Sequence, residues 1–163
     1  MKKLRFVFLC LVLTLAGCTT YSPIPEGYLG DTATINDSFS NNSSTTAHFF
    51  MLSEIDGNKL VDSWMATRSA NHGRGTFFTP KMKSWEVLPE AATFTLVGLV
   101  FFPTDAQALF GDAREVEGTI QFTPDSNEVY TVRGQITEES SEVWLEDSSG
   151  KIVKEKIVKV RGD

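Results

Sequence analysis

Cysteine is nearly absent from this chain. Of 163 residues only Cys10 and Cys18 are cysteines, and both lie in the first eighteen. Nothing beyond residue 18 can form a disulfide or a Cys-x-x-Cys metal site, so the body of the protein must be held by its core. Histidine is equally scarce. His48 and His72 stand alone, with no His-Glu-x-x-His and no paired ligand spacing, so no metal site is expected. The serine signatures of acyl transfer are missing: there is no Gly-x-Ser-x-Gly, no Ser-x-x-Lys and no third member for a triad. A glycine-rich nucleotide loop is missing too, and no cofactor is expected. Acids are plentiful, yet nothing selects a carboxylate pair for hydrolysis. Glu138, Glu139, Glu142, Glu146 and Asp147 read as a solvated acidic face. These absences lead to the expectation that the protein is not an enzyme. Basic charge is also in short supply. The formal net charge is −6, which disfavours a nucleic-acid partner. After the first fifteen residues no apolar run is long enough to span a bilayer, since Phe94 to Phe102 is short and broken by Gly98.

The opening residues form a targeting pattern. Lys2, Lys3 and Arg5 make a positive n-region, and Phe6 to Leu15 an apolar stretch of secretory-signal length, short for a bilayer span. A plain signal would end on an Ala-x-Ala-like site. Here Leu15-Ala16-Gly17-Cys18 stands instead. This tetrad resembles the lipobox of bacterial lipoproteins, in which the cysteine is lipidated and becomes the first residue of the mature chain. The alternatives are an uncleaved N-terminal helix, or a signal cut elsewhere with Cys18 incidental. The chemistry needs a thiol because the thiolate accepts the diacylglyceryl group. In lipoproteins the new amine is acylated as well, and two or three chains give durable anchoring at about 0.8 kcal/mol per buried CH₂. In enterobacterial-type sorting an Asp directly after the cysteine retains the protein in the inner membrane. Thr19 stands there in this chain, so the resemblance implies the outer membrane, with the domain facing the periplasm. Loss of residues 1–17 would leave 146 residues, enough for one domain. Twelve of the fifteen basic residues would remain against all twenty-one acids, a net of −9.

Beyond the signal, the supply of Phe, Val, Ile and Thr favours strands over helices. Residues 18–45 are expected to be the lipidated N-terminus and a flexible tether, with Pro23, Pro25 and Gly27 at its start and a Ser/Asn/Thr-rich loop over 38–46 at its end. Within it Thr32 to Asp37 has the look of a short strand. The Asn42-Ser43-Ser44 sequon is taken as chance. Residues 46–163 are expected to be the folded domain. Ala47 to Ile55 reads as a strand, and Asp56-Gly57 as a hairpin turn, because a primed turn needs positive φ. Lys59 to Trp64 reads as the partner strand, 68–75 as irregular, and Thr76 to Thr79 and Trp85 to Leu88 as short strands ended by prolines. Ala92 to Phe102 is a nearly continuous apolar strand, which places it centrally with both faces buried. Ala106 to Phe110 reads as a helical turn or a loop plugging the core. Val116, Gly118, Ile120 and Phe122 alternate with polar residues, as do Tyr130, Val132, Gly134 and Ile136, the pattern of strands with one wet face. Glu142 to Asp147 pairs through Ser148-Ser149-Gly150 with a final strand, Lys151 to Val160. Seven to nine short strands with no long helical pattern predict an all-β, antiparallel two-sheet β-sandwich. A small closed barrel is the competing arrangement.

The order of these features carries a second resemblance. Ile55-Asp56-Gly57-Asn58-Lys59 comes first, then Val87-Leu88-Pro89 before the long apolar strand. Next are Tyr130-Thr131-Val132, and then Val143-Trp144-Leu145-Glu146-Asp147 before a glycine turn. The sequence is similar, over about two-thirds of its length, to uncharacterised proteobacterial lipoproteins with an immunoglobulin- or prealbumin-like sandwich. Many of these carry Pro-Pro-Gly-x-His just before the long strand. This chain has Leu88-Pro89-Glu90-Ala91 there, without the glycine or the histidine. The resemblance implies the fold and no common activity.

Two stretches stand out as candidate binding sites. In Asn71-His72-Gly73-Arg74-Gly75 the glycines can let backbone N–H groups form a concave nest beneath the Arg74 guanidinium, suited to a phosphate or carboxylate. Asn71, His72 and Arg74 are therefore the candidate ligand residues; the plainer reading is a Gly-rich connection whose Arg pairs with a surface acid. Trp64, Trp85 and Trp144 are a possible platform for sugar rings or a peptide, against the commoner role of tryptophan as core. The expectation for function is a lipid-anchored, non-enzymatic binding or assembly module of the cell envelope. Its partners would be the membrane, through the lipid on Cys18, and an envelope protein. The basic edge with Lys151, Lys154, Lys156 and Lys159 is the strand expected to pair with that protein, unless its lysines guard it. The alternative function is a binder of an anionic small ligand or glycan through the 71–75 loop.

Overall fold

The protein is seen in a computed structural model that describes residues 21–161, apart from Ser44, Thr76, residues 112–114 and the side chain of Phe110. The expected signal segment 1–17, Cys18 and Thr19 lie outside the described residues, as does Ser44 of the sequon.

Among the described residues, ten strands form two packed sheets. The first, sheet A, contains β1 (Ala33–Asn36), β5 (Ser84–Val87), β8 (Val129–Ile136), β9 (Ser140–Glu146) and β10 (Ile157–Val160), in the order β10-β9-β8-β1-β5. The second, sheet B, runs β2 (Ser38–Ser40), β3 (Ala47–Ile55), β6 (Ala92–Phe101), β7 (Glu115–Phe122), with β4 (Asn58–Lys59) also on β3. All pairings are antiparallel except β1 with β8. The expected sandwich is thus the fold, as two distinct sheets rather than one closed barrel.

Alternation explains why the sheets meet where they do. Val116, Ile120 and Phe122 of β7 and Tyr130, Val132 and Ile136 of β8 are buried while most of their neighbours are wet. They join Phe50, Leu52, Phe94, Leu96, Val143 and Leu145 in one inter-sheet core. Phe50 is its pivot. It stands opposite Gly98 of β6, and a Cβ on Gly134 of β8 would run into its ring and into the Glu142 carbonyl. Both glycines are spaces for that ring. The Asp56-Gly57 turn has positive φ at both residues, 49° and 77°, as a primed hairpin requires.

Several boundaries differ from the expectation. The segment 18–45 is not a tether throughout. Ala33 and Ile35 are buried, β1 is paired on both sides, and β2 pairs with β3, so the sandwich begins near residue 33 rather than 46. β2 is three residues long, with Ser38 buried and Phe39 exposed, the reverse of what polarity alone suggests. Residues 59–64 are not a partner strand: β4 ends at Lys59, and Ser63–Ala70 forms a helix, α1. Asp62 caps it by accepting the Met65 N–H at 2.9 Å. Thr76 is outside the described residues, and 77–79 run without strand pairing. Lys151 to Val160 is not one strand. A turn at 147–150 leads to a single bridge, Glu146 to Ile152, and β10 starts only at Ile157. The helical turn does form, as α2 (Asp105–Phe110) capped by Thr104, and Leu109 on it is 81% exposed.

Candidate functional site

Sheet B is buried on its inner face and covered over part of its outer face. Its inner face meets sheet A; its outer face carries Ala47, Phe49 and Phe101, with Phe49 and Phe101 stacked at 4.8 Å. Trp64 of α1 and Phe78 and Met82 of the following segment cover them. That cover is held by a ladder of side chains. Ser63, Thr67 and Asn71 succeed one another at i, i+4, i+8 along one side of α1. The Lys83 N–H donates to Ser63 Oγ at 2.8 Å, the Lys81 N–H to Thr67 Oγ1 at 2.8 Å, and the Thr79 N–H to Asn71 Oδ1 at 2.9 Å. The spacing matches because four helical residues rise about 6 Å and two extended residues about 6.6 Å. Asn71 Nδ2 also donates to the carbonyls of Thr79 and Thr67. Pro80 falls at an alternate position, where a missing N–H removes no rung.

The ladder ends on a buried acid. Asp37, the single residue between β1 and β2, accepts from the Leu52 N–H at 2.9 Å and from Ser63 Oγ at 2.5 Å. Its own N–H donates to the Lys83 carbonyl. Burial pushes its carboxyl up to about 7, against the pull of these donors. Asp37 thereby ties the sheet-to-sheet corner to the start of α1.

The cover stops short of β7. Beside α1 an open groove of about 490 Å³ is lined by Met51, Val61, Trp64, Met65, Val97 and Leu99. Met51 and Val97 form a buried floor; Met65 and Val61 are exposed. Four carboxylates, Glu54, Asp62, Glu115 and Glu117, stand around it with one cation, Lys59. Glu115 and Glu117 project from β7 directly across from Leu99 and Val97. Sequence reading missed this site because its residues are scattered from 51 to 117.

The 71–75 loop is arranged differently from a nest. Gly73 and Gly75 have φ of 79° and 71°, but the Arg74 N–H is already donated to the Asn71 carbonyl at 3.0 Å. Asn71 is buried, and both ends of its amide bond other parts of the chain. Asn71 therefore locks α1 to the segment at Thr79 and has no free group for a ligand. His72 and Arg74 are exposed.

The tryptophans do not form one platform. Trp64 lies on α1, Trp85 on β5 and Trp144 on β9; all are half-buried, and each has a cation over its ring. The cations are Arg68 at 5.3 Å, Lys83 at 5.2 Å and Lys156 at 4.1 Å. The expected acidic face is partly neutralised: Glu142 pairs with Lys156 at 2.9 Å, and Glu146 accepts from the Trp144 indole and approaches Arg133 at 3.6 Å. Asp147 accepts from the amides of Ser149 and Lys151 to shape its turn. His48 is half-buried on the Phe50 side of β3, and its Nδ1 contacts Asn41 Nδ2 at 3.1 Å. Among the described residues no three His, Cys, Asp or Glu side chains converge as metal ligands, and no helix is long and apolar enough to cross a membrane.

No family model matches the chain, and no curated protein or solved structure matches it.

Proposed function

We propose that this protein is a lipid-anchored lipoprotein of the cell envelope, held in the outer membrane through acyl chains on Cys18. Its sandwich serves there as a non-enzymatic binding or assembly module, with the domain on the periplasmic side. The observation that carries the binding role is the half-covered outer face of sheet B. A β-sandwich acting alone has no need of an open apolar groove beside a helix that covers the rest of that face. Buried hydroxyls support a structural rather than catalytic use: Ser63 and Thr67 hold the 79–83 segment, and Ser38 donates to the Val132 carbonyl.

Tyr21 supports close attachment. It packs against the inter-sheet core, and burial and then the Asp56 carboxylate raise its phenol above the usual value. Cys18 is three residues away, so its α-carbon is at most about 11 Å along the chain from Tyr21. Lipidated there, the domain sits against the bilayer with the Asp56 hairpin end nearest. Mass spectrometry of the N-terminal peptide tests the anchor. An acylated Cys18 in the membrane fraction is expected, with release of the Cys18→Ser protein; an unmodified Cys18 overturns it. The alternative, an anionic ligand or glycan at 71–75, would rest on His72 and Arg74 alone, and an Arg74→Ala variant with unchanged anion affinity removes it.

A further inference from the structure

We infer that the groove beside α1 receives a basic, amphipathic helical segment of a partner protein. This rests on the binding-module reading and names the chemistry of its partner. Three observations converge. The floor is apolar and continuous, running from Met51 through Val97 to Leu99, with Trp64, Met65 and Val61 as one wall. The rim carries four acids against one lysine, three formal negative charges in excess. Asp62 among them is engaged as the N-cap of α1, which leaves Glu54, Glu115 and Glu117 to meet a ligand. Width fits as well. β7 lies two strands from β3, about 9.6 Å at the usual strand spacing. A helix is about 10 Å across and packs beside another at 8–10 Å. A partner helix laid over β6 and β7 would therefore contact α1 as a second helix of the same layer. It would cover Val97 and Leu99 with its apolar stripe and bring lysines or arginines onto Glu115 and Glu117. An anionic membrane surface or an acidic peptide is repelled by the same rim.

Fluorescence polarisation on the full chain tests this with a labelled leucine–lysine peptide whose leucines recur at i, i+3, i+4 and i+7. Saturable binding is expected. Glu115→Lys with Glu117→Lys should weaken it about tenfold or more, with the melting temperature unchanged because both side chains are exposed on an edge strand. Glu138→Lys with Glu139→Lys, acids elsewhere on the surface, should leave it intact. Replacing the peptide leucines by serine should abolish it. Equal binding of the serine peptide, or equal weakening by both reversals, reduces the effect to net charge and overturns the proposal. Self-association of the chain that the Glu115/Glu117 reversal abolishes assigns the groove to a second copy and also overturns it. Failure of the anchor is read separately: peptide binding by the Cys18→Ser chain keeps the groove without the lipid, and an acylated chain that ignores the peptide keeps the lipid without the groove.

Discussion

The two faces of sheet B are covered by different physics. The inner face is closed by another sheet through side-chain volume. Phe50 fills the space over Gly98 and Gly134, Phe94 packs at a tilt on Phe122, and Phe122 meets Tyr130 edge to face. The outer face is closed by Trp64, Phe78 and Met82, carried on one short helix and one extended segment that are held to each other by directed hydrogen bonds from backbone N–H groups to Ser63, Thr67 and Asn71. Volume tolerates little change at any point but spreads over the whole sheet. Hydrogen bonds fix register strictly and cover only what they reach. The outer cover accordingly ends at α1, and the groove over Val97 and Leu99 is what it leaves open.

The largest effect is expected on the inner face. Gly134→Val should cost about 3 kcal/mol or more, measured by urea unfolding, because the added carbons meet both the Phe50 ring and the Glu142 backbone carbonyl. Phe50→Leu in the same chain should recover only part of the loss, since the carbonyl contact remains. Full tolerance of valine would break the account of a volume-limited inner face.

Asp37 stands where the two faces meet and links stability to pH. Its folded value, about 7, lies above the ordinary 3.8. The folded state therefore holds the proton more tightly than the unfolded chain does. The contribution of Asp37 to stability is full below about pH 4 and is lost as pH rises through 7, on the order of a few kcal/mol in all. Thermal unfolding should give a higher melting temperature at pH 5 than at pH 8, and Asp37→Asn should flatten that slope. Parallel slopes in both proteins would remove Asp37 as the cause.

The same division governs how far these features were legible in the sequence. β6, β7 and β8 could be read because apolar and polar residues alternate along them, or because both faces are apolar, and burial is what such patterns report. Helix α1 could not, because its eight residues are neither clearly apolar nor clearly polar and the two it buries are Ser63 and Thr67. A signal was present in Asp62 as N-cap and in the four-residue spacing to Asn71, but that spacing has meaning only once a partner strand is at hand. The same blindness put Asn71 among ligand residues: an amide in a polar cluster looks available until its three bonds are seen. Of the groove's acids, Glu117 was visible on the wet side of β7. Its juxtaposition with α1 depends on contacts between residues far apart in sequence, which alternation does not encode.

Asn71→Ala offers the finest separation of the two faces. It removes one acceptor and two donated bonds, leaving the Thr79 N–H and carbonyl without those partners, at about 2 kcal/mol. If the outer cover is an independent unit, hydrogen exchange should quicken over 77–83 and the last turn of α1 while amides of β6, β7 and β8 stay protected. The groove would then widen without loss of the sandwich, and the leucine–lysine peptide should bind more weakly through the loss of the α1 wall. Equal loss of protection in β8, which lies in the opposite sheet, would mean that both faces of sheet B unfold together and that hydrogen bonds on one side hold the packing on the other.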